Sequence, residues 1–379
     1  MQPAMTLRQM NLNVFSGEPI PHVFFQPRFE PWFEWHRIFN RLPEKYRDYS
    51  LLDLYDEVGA SIRYVDYYTG APPVIVQRFS PDVKIHEQYT DTEGVRTLRT
   101  PHGDLTERLR RTPDETWRVV GFAVKGPGDL KKLRWLYGRM THHFSKEHFE
   151  QGSAFVGARG EPQFYLPKSP YQALIQIWMK FQDFIYALTD YRDDIEATMR
   201  VIDDSYDSLY EEIIRYGNVR IVNFGENLHA HLMSPRYFER YLIPFYEKRV
   251  GQLKKAGIYS HVHLDGYYRP LLPYLKDLPF DGIEALTPLP QGDVSLEETR
   301  EHMGDKVLLD GIPAVLFLPT YSREELMAMT EKVVKLFHPR LVLGVSDEVP
   351  EGADEEAIER LKLISAYCRN YQASQGMTR

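Results

Sequence analysis

The sequence holds a single cysteine, Cys368, among 379 residues. A lone thiol excludes a disulfide framework and any thiolate-rich metal site, and it points to a reducing cytoplasm. Basic residues are also in deficit, with 46 Lys and Arg against 54 Asp and Glu for a net charge of −8. Phosphate recognition needs clustered cations, so nucleic acid and anionic membrane are poor candidates for the main partner. No run reaches the ~20 apolar residues of a membrane span. The opening residues (MQPAMTLRQMNLNVF) lack the basic-then-apolar layout of a signal peptide. An open nucleotide-binding sheet would carry Gly-x-Gly-x-x-Gly or a phosphate loop after an early strand, and neither is found. Low-complexity tracts, linkers and solenoid periods are absent as well. A soluble intracellular protein is expected.

What the chain does have is apolar and aromatic material. Hydrophobic residues make up 43%, ample for a full core, and there are 25 Tyr, 20 Phe and 5 Trp. The aromatics are dense in Val23–Trp35 and Tyr165–Tyr186, where they serve either core packing or an aromatic-lined ligand pocket. The length suits one large domain or two ordinary ones.

Taken in order, the chain gives an entry strand at His22–Gln26, a helix around Trp32–Leu42 and a strand at Val74–Phe79. Between Pro81 and Val124, short alternating runs split by Gly, Pro and Asp read as antiparallel hairpins, expected to form an insertion or cap on one domain spanning 1–379. From Pro127 onward the pattern is strand–helix. Ser169-Pro170 opens a long helix with Leu174, Trp178, Phe181 and Ile185 on one stripe. Asp194–Tyr216 is another helix, and Ser234-Pro235 opens a third that Pro244 should kink. Ser295-x-x-Glu298 and Ser322-x-x-Glu325 are capping boxes. Nearly all-apolar strands are expected at Val219–Phe224, Ile258–Leu264, Gly282–Leu286, Lys306–Asp310 and Leu341–Val345, with a last helix at Ala353–Arg369. Such strands, each followed by a helix, mean a parallel sheet covered by helices. Polar residues collect just after strand after strand: Glu226, His263 and Asp265, Asp310, Asp347. That is the layout of the C-terminal mouth of a (β/α)8 barrel, an α/β TIM barrel.

Strand 258–264 ends in His263-Leu264-Asp265-Gly266. Period-two alternation puts His261, His263 and Asp265 on one side, and buried imidazoles and carboxylates each need a partner. His263 and Asp265, with Glu226 from the strand before and Asp347 from the last strand, suit a divalent ion such as zinc. Strand-end carboxylates also cap helices, and a His there also bonds backbone, so both readings stand. His261 lies one layer deeper and serves as a core histidine or in catalysis. His229 and His231 lie in a loop that either contacts substrate or is a plain loop. Tyr259, Tyr267 and Tyr268 flank the strand, and any of them is a candidate proton donor.

From Tyr165 to the C-terminus the chain resembles the uroporphyrinogen decarboxylase-like superfamily, and within it the branch of corrinoid (cobalamin)-dependent methyltransferases. That branch has Gly-Val-x-x-x-Leu-His-x-Cys-Gly at a strand that Gly257–Gly266 (GIYSHVHLDG) matches in length, with His263 and Gly266 in place. The Ser-Pro helix with an internal proline is matched by residues 233–250 (MSPRYFERYLIPFYEKRV). Residues 305–326 and 343–361 match the last two units. Both family cysteines are missing: Asp265 stands where the first belongs and Asp347, or Ser346 on a shifted alignment, where the second belongs.

The resemblance implies a methyltransferase. A site of His and carboxylates is harder than one of two thiolates, so it should activate an oxygen better than a thiol. The expected reaction takes a methyl group from an aromatic methyl ether, with zinc or another divalent metal on the ether oxygen, and passes it to cob(I)alamin. The end of the chain also resembles the O-demethylase methyltransferases of anaerobic bacteria. It has no Asp-x-His-x-x-Gly cobalamin motif, so the cofactor would arrive on a separate corrinoid protein. The expected ligands are His263 and Asp347, then Glu226 and Asp265. His261 and Tyr259 are expected in catalysis, and His229, His231 and Tyr267 against the substrate. The alternative is a metal-free decarboxylase of the uroporphyrinogen type, for which Pro27-Arg28 and Arg37 loosely echo a propionate-binding pair. A non-catalytic binding barrel is a third class, and a homo-oligomer is compatible with any of them.

Overall fold

The computed structural model describes residues 5–113 and 115–371; Met1–Ala4, which begin the stretch read for a signal peptide, lie outside them. The chain divides into two compact units where one domain was expected. The first comprises residues 1–72, 146–165 and 218–379, and the second 73–145 and 166–217.

The first unit is built on seven strands: β1 (Phe24–Phe25), β2 (Tyr165–Leu166), β3 (Ile221–Leu228), β4 (Tyr259–Leu264), β5 (Gly282–Glu284), β6 (Val307–Pro313) and β7 (Leu341–Ser346). Their order in the sheet is β1-β7-β6-β5-β4-β3-β2, and the pairings from β1 and β7 round to β4 and β3 are parallel. Residues 61–65 close the circle as an eighth stave. Ser61 N donates to Phe25 O (3.0 Å), while Val65 N to Gln163 O (2.9 Å) and Gln163 N to Arg63 O (3.1 Å) tie the stave to the segment entering β2. The result is a TIM barrel, as expected from the strand-end pattern. Burial makes these strands read as mainly apolar runs, Glu284 and Asp310 excepted: every residue of β5, β6 and β7 is buried.

The N-terminal end of the barrel is plugged. Helix Leu7–Ser16 is started by a Thr6–Gln9 capping box and lays Met10, Val14 and Phe15 against Phe24, Ile221, Val307, Leu309 and Val342. These positions stand at or near the beginnings of their strands. Each large apolar side chain removed from water here contributes about 1.5–3 kcal/mol.

The second unit consists of what the chain inserts after the eighth stave and after β2. Its four-stranded antiparallel sheet (Lys84–Tyr89, Glu93–Thr100, Gly103–Arg111, Trp117–Gly121) contains the expected hairpins of 81–124 and one further strand, Gly103–Arg111, that their pattern did not show. The unit also holds helices Pro127–Tyr137, Phe181–Asp190, Arg192–Asp204 and Asp207–Tyr216.

Three helices differ from expectation. The one opened by Ser169-Pro170 runs as α-helix only to Ala173, passes through a π-helical turn at Leu174–Trp178 and breaks at the extended Met179. The expected helix Asp194–Tyr216 is two helices, separated at Ser205-Tyr206. Around Pro244 the mismatch is absorbed by a π-helical turn, Phe238–Leu242, directly before helix Ile243–Lys255, which carries the proline in its first turn. Both capping boxes at Ser295 and Ser322 form. Among the described residues no helix is long and apolar enough to cross a membrane.

Candidate active site at the barrel mouth

Inside the first unit the C-terminal half of the barrel is polar. At its centre is Glu284, the last residue of β5, fully buried. Its Oε1 accepts from Arg63 Nη1 and from the Tyr64 hydroxyl, both carried by the eighth stave. Its Oε2 accepts from Asn223 Nδ2 of β3 and lies 3.1 Å from His263 Nδ1 of β4. Arg63 also reaches Asp310 of β6 (Nη2 to Oδ1 2.7 Å) and Gln26 beyond β1 (Nε to Oε1 3.0 Å). One guanidinium thus gathers side chains from three staves. Burial alone would push the Glu284 carboxyl up, but Arg28 and Arg63 outweigh it and hold it well below the usual carboxylate range. As an acceptor-only carboxylate, Glu284 fixes the proton of His263 on Nδ1 and turns Nε2 outward.

Asp310 occupies φ 81°, a region a non-glycine residue enters at a cost of about 1–3 kcal/mol. Gly344 of β7, the register partner of the next residue, Gly311, explains how it fits. A Cβ on Gly344 would come within 2.6 Å of Asp310 Oδ1 and 2.9 Å of Gln26 O, so only glycine leaves room for this carboxylate.

Above this layer sits a more open one. His263 Nε2 is 3.7 Å from Asp347 Oδ1, and the Asp347 side chain is 39% exposed where His263 is 5%. Buried Arg28 joins them, donating from Nε to Asp347 O (3.0 Å), pairing with the Asp347 carboxylate and donating from Nη1 to the Tyr165 hydroxyl (2.9 Å). The Tyr64 and Tyr165 rings stack at 4.2 Å, with Tyr67 edge-on to Tyr165 at 5.9 Å. Tyr67 donates to Glu348 (2.9 Å). Burial raises the phenols of Tyr64, Tyr67 and Tyr165, so they remain hydrogen-bond donors.

The four expected metal ligands are not brought together. His263 and Asp347 meet, but Glu226 and Asp265 go elsewhere. β3 continues to Leu228, so Glu226 lies within the strand on its outward face, as does Phe224, whose ring packs on Phe245 and Tyr246. There Glu226 accepts from the Tyr246 hydroxyl (2.9 Å). β4 ends at Leu264, and the turn at Gly266 (φ 60°) takes Asp265 out of the alternation. Among the described residues, no group of three or more His, Cys, Asp or Glu side chains is placed to hold a metal ion. The lone pairs of Glu284 are taken by Arg63, Tyr64 and Asn223, and those of Asp347 face Arg28. The donor set therefore does not fit the expected zinc.

Other candidates separate by depth. His261 is fully buried below His263, its Nε2 2.8 Å from Gln163 Oε1. Burial pushes it down to about 3, which makes it a neutral ring fixed under the site and not an acid. Tyr259 begins β4 and packs on Phe15 of the N-terminal plug (5.6 Å). Four residue steps along the strand separate it from His263, about 13 Å, so the expectation that it is catalytic fails. His229, His231 and Tyr267 do cluster on the rim formed after β3 and β4. The His231 and Tyr267 rings stack at 4.8 Å, and Ala230 N donates to Tyr267 O (2.7 Å). Burial, then the neighbouring His231, lowers His229, while Asp265 acts in the opposite sense. Of the arginine pair weighed above, Arg28 is in the site, and Arg37 lies on the surface with Glu34.

The match to known proteins agrees with this architecture. Residues 168–364, just over half of the chain, match the family model for uroporphyrinogen decarboxylase (URO-D). The chain belongs to the uroporphyrinogen decarboxylase family. His263, Glu284, Asp310 and Asp347 lie within the family segment, whereas Arg28, Arg63 and Tyr64 come from the part before it. Among solved structures, a methyltransferase from Methanosarcina mazei is similar over 96% of this chain and 98% of its own, with 13% identity and a TM-score of 0.58. At that identity the likeness is one of fold. A B12-independent methionine synthase from Shewanella sp. W3-18-1, solved with selenomethionine, is similar over 84% of each chain at 13% identity, with a TM-score of 0.42. No curated protein sequence matches the chain.

Proposed function

We propose that this family member is a methyltransferase that takes the methyl group of an aromatic methyl ether and passes it to the cob(I)alamin of a separate corrinoid protein. The observation that carries the reading is the His263 imidazole. Glu284 backs it at 3.1 Å, its Nε2 is turned toward the open Asp347, and the Tyr64–Tyr165 stack with Tyr67 stands in the same mouth. A methoxylated ring finds aromatic faces there, and its ether oxygen a donor.

In the reaction the C–O bond breaks, the methyl carbon goes to the corrinoid co-substrate, and the bonding pair stays on oxygen as a phenolate. His263 takes up a second proton from solvent on Nε2 and gives it to that oxygen, while Glu284 keeps the Nδ1 bond. Imidazole donation of this kind is worth about 10²–10⁴-fold. The rim trio of His229, His231 and Tyr267 contacts the ring's substituents. No step is routed through a metal ion, because the donor set does not fit one.

The test mixes the purified chain with methoxylated aromatics and chemically reduced cobalamin, following methylcobalamin by its spectrum and the phenol by chromatography. Methyl transfer that falls at least about 100-fold in His263→Ala is the expected result. Phenol release unchanged in that variant would refute the assignment. A second reading, a metal-free decarboxylase, is favoured by buried Arg28 in the mouth, since a guanidinium there suits a substrate carboxylate. Carbon dioxide release from a polycarboxylate porphyrinogen, with no methyl transfer, would select it.

A further inference from the structure

The residues named in that chemistry all lie in the first unit, yet the second carries a feature unlike the rest of the chain. Beside strand Trp117–Gly121 is a groove of about 410 Å³ lined by Arg108, Lys125 and Lys180, with Val120, Phe122 and Val124 as its apolar part and Asp183 as its one acid. Three cations against one carboxylate stand out in a chain whose net charge is −8. The three cations are exposed, and among the described residues none has an ion-pair partner, whereas Arg96, Arg110 and Arg111 of the same sheet do. Strand Trp117–Gly121 is the last in its sheet, and among the described residues it pairs with Gly103–Arg111 alone. Its outer edge therefore offers unpaired backbone groups beside the groove. Val120 at that edge is 49% exposed, and Val95, paired with Arg108 on the neighbouring strand, is 36% exposed.

We propose that this edge and groove bind an acidic, extended segment of a partner protein. Each part of the feature answers one part of such a segment. Strand-edge N–H and C=O groups pair with an added strand. Alternate side chains of that strand then fall on the apolar part and on the cations, which favours a sequence alternating acidic and apolar residues. A small free anion would use the cations alone and leave Val120, Phe122 and the strand edge without a role. The proposal stands independently of the methyl-transfer reading.

The experiment uses the full chain and a short fluorescein-labelled peptide of alternating glutamate and valine, with a lysine–valine peptide as control, read by fluorescence anisotropy. The acidic peptide should bind, the basic one should not, and binding should weaken about tenfold between roughly 50 and 300 mM salt. Charge reversal at all three cations (Arg108→Glu, Lys125→Glu, Lys180→Glu) should weaken it by about tenfold or more. The single Lys180→Gln should have a smaller effect of the same sign, with unchanged circular dichroism as the control for folding. Failure of the wild type to bind, equal binding of the reversed variant, or complete competition by inorganic phosphate would each overturn the proposal. Failure of methyl transfer would not touch it.

Discussion

Replacing Arg63 by leucine tests the account of the barrel interior most directly. Arg63 and its partners Glu284 and Asp310 are all fully buried. Arg63→Leu leaves two carboxylates facing each other without their shared cation. Breaking a buried pair from one side costs about 3–5 kcal/mol. Here the cost falls toward the upper end, because one guanidinium serves two acids and also bonds Gln26. Neutralising the acids relieves it, so the penalty should depend on pH. In the wild type, Glu284 is depressed, so the stability it lends is full above the ordinary carboxylate pKa and fades as pH falls through its folded value. In Arg63→Leu that advantage is reduced to what Arg28 still supplies, and the variant should approach the wild type as pH falls from 7 toward 5. Urea unfolding read by near-ultraviolet circular dichroism suits the question, because the Tyr64–Tyr165 stack is a signal within the same unit. A compensated variant, Arg63→Leu with Glu284→Leu and Asp310→Leu, separates lost pairing from lost shape, since apolar replacement of a whole buried network can be neutral. If Arg63→Leu unfolds within about 1 kcal/mol of the wild type at pH 7, the reasoning about shared charge is wrong.

Two further outcomes follow from local geometry. Gly344→Ala should lower the urea midpoint by the equivalent of about 1–3 kcal/mol, because its methyl would press on Asp310 Oδ1 and Gln26 O; an unchanged midpoint would show that Asp310 moves freely. In the second unit, burial lowers His142 to about 4, and its ring lies between Gln77 (3.2 Å) and Ser205 (3.4 Å). The unfolded chain binds that proton at about 6.5, so stability should fall as pH drops from 6.5 toward 4, by up to about 1.4 kcal/mol per pH unit. His142→Gln should flatten that slope in a pH series of urea titrations.

Much of the barrel was legible because its signals are local. Ser295 and Ser322 announce their helices within four residues, and β6 and β7 are apolar enough to read as buried strands. The eighth stave was not, because residues 61–65 (SIRYV) mix Arg63 and Tyr64 into a short run whose partners are about 100 and 220 residues away. The π-helical turns also escaped notice: a stripe such as Leu174–Trp178 fits either helix type, and packing chooses between them. At the site, strand-end position points to His263 and Asp347, whereas Glu284 is hidden within the short run GIEAL. The available signal was a lone charge in an apolar strand. Glu284, Asp310 and Arg63 each have it, and each had to find another. Alternation gives the facing of a residue only within a strand of known extent: β3 runs past its expected end at Phe224 to Leu228 and carries Glu226 with it, whereas β4 ends at Leu264 as expected and Asp265 lies beyond it.

The N-terminal plug has a consequence for traffic. With Phe15 and its neighbours sealing one end of the barrel, whatever enters the mouth must leave by the same opening. A reaction with two partners, one small and one carried on a protein, then becomes a matter of turn-taking at a single door. Under the proposed reading, the demethylated phenol would have to depart before the next ether could seat, so it should compete directly with that ether. Under the proposed reading, the visiting protein must likewise withdraw, or stand aside, on every turnover.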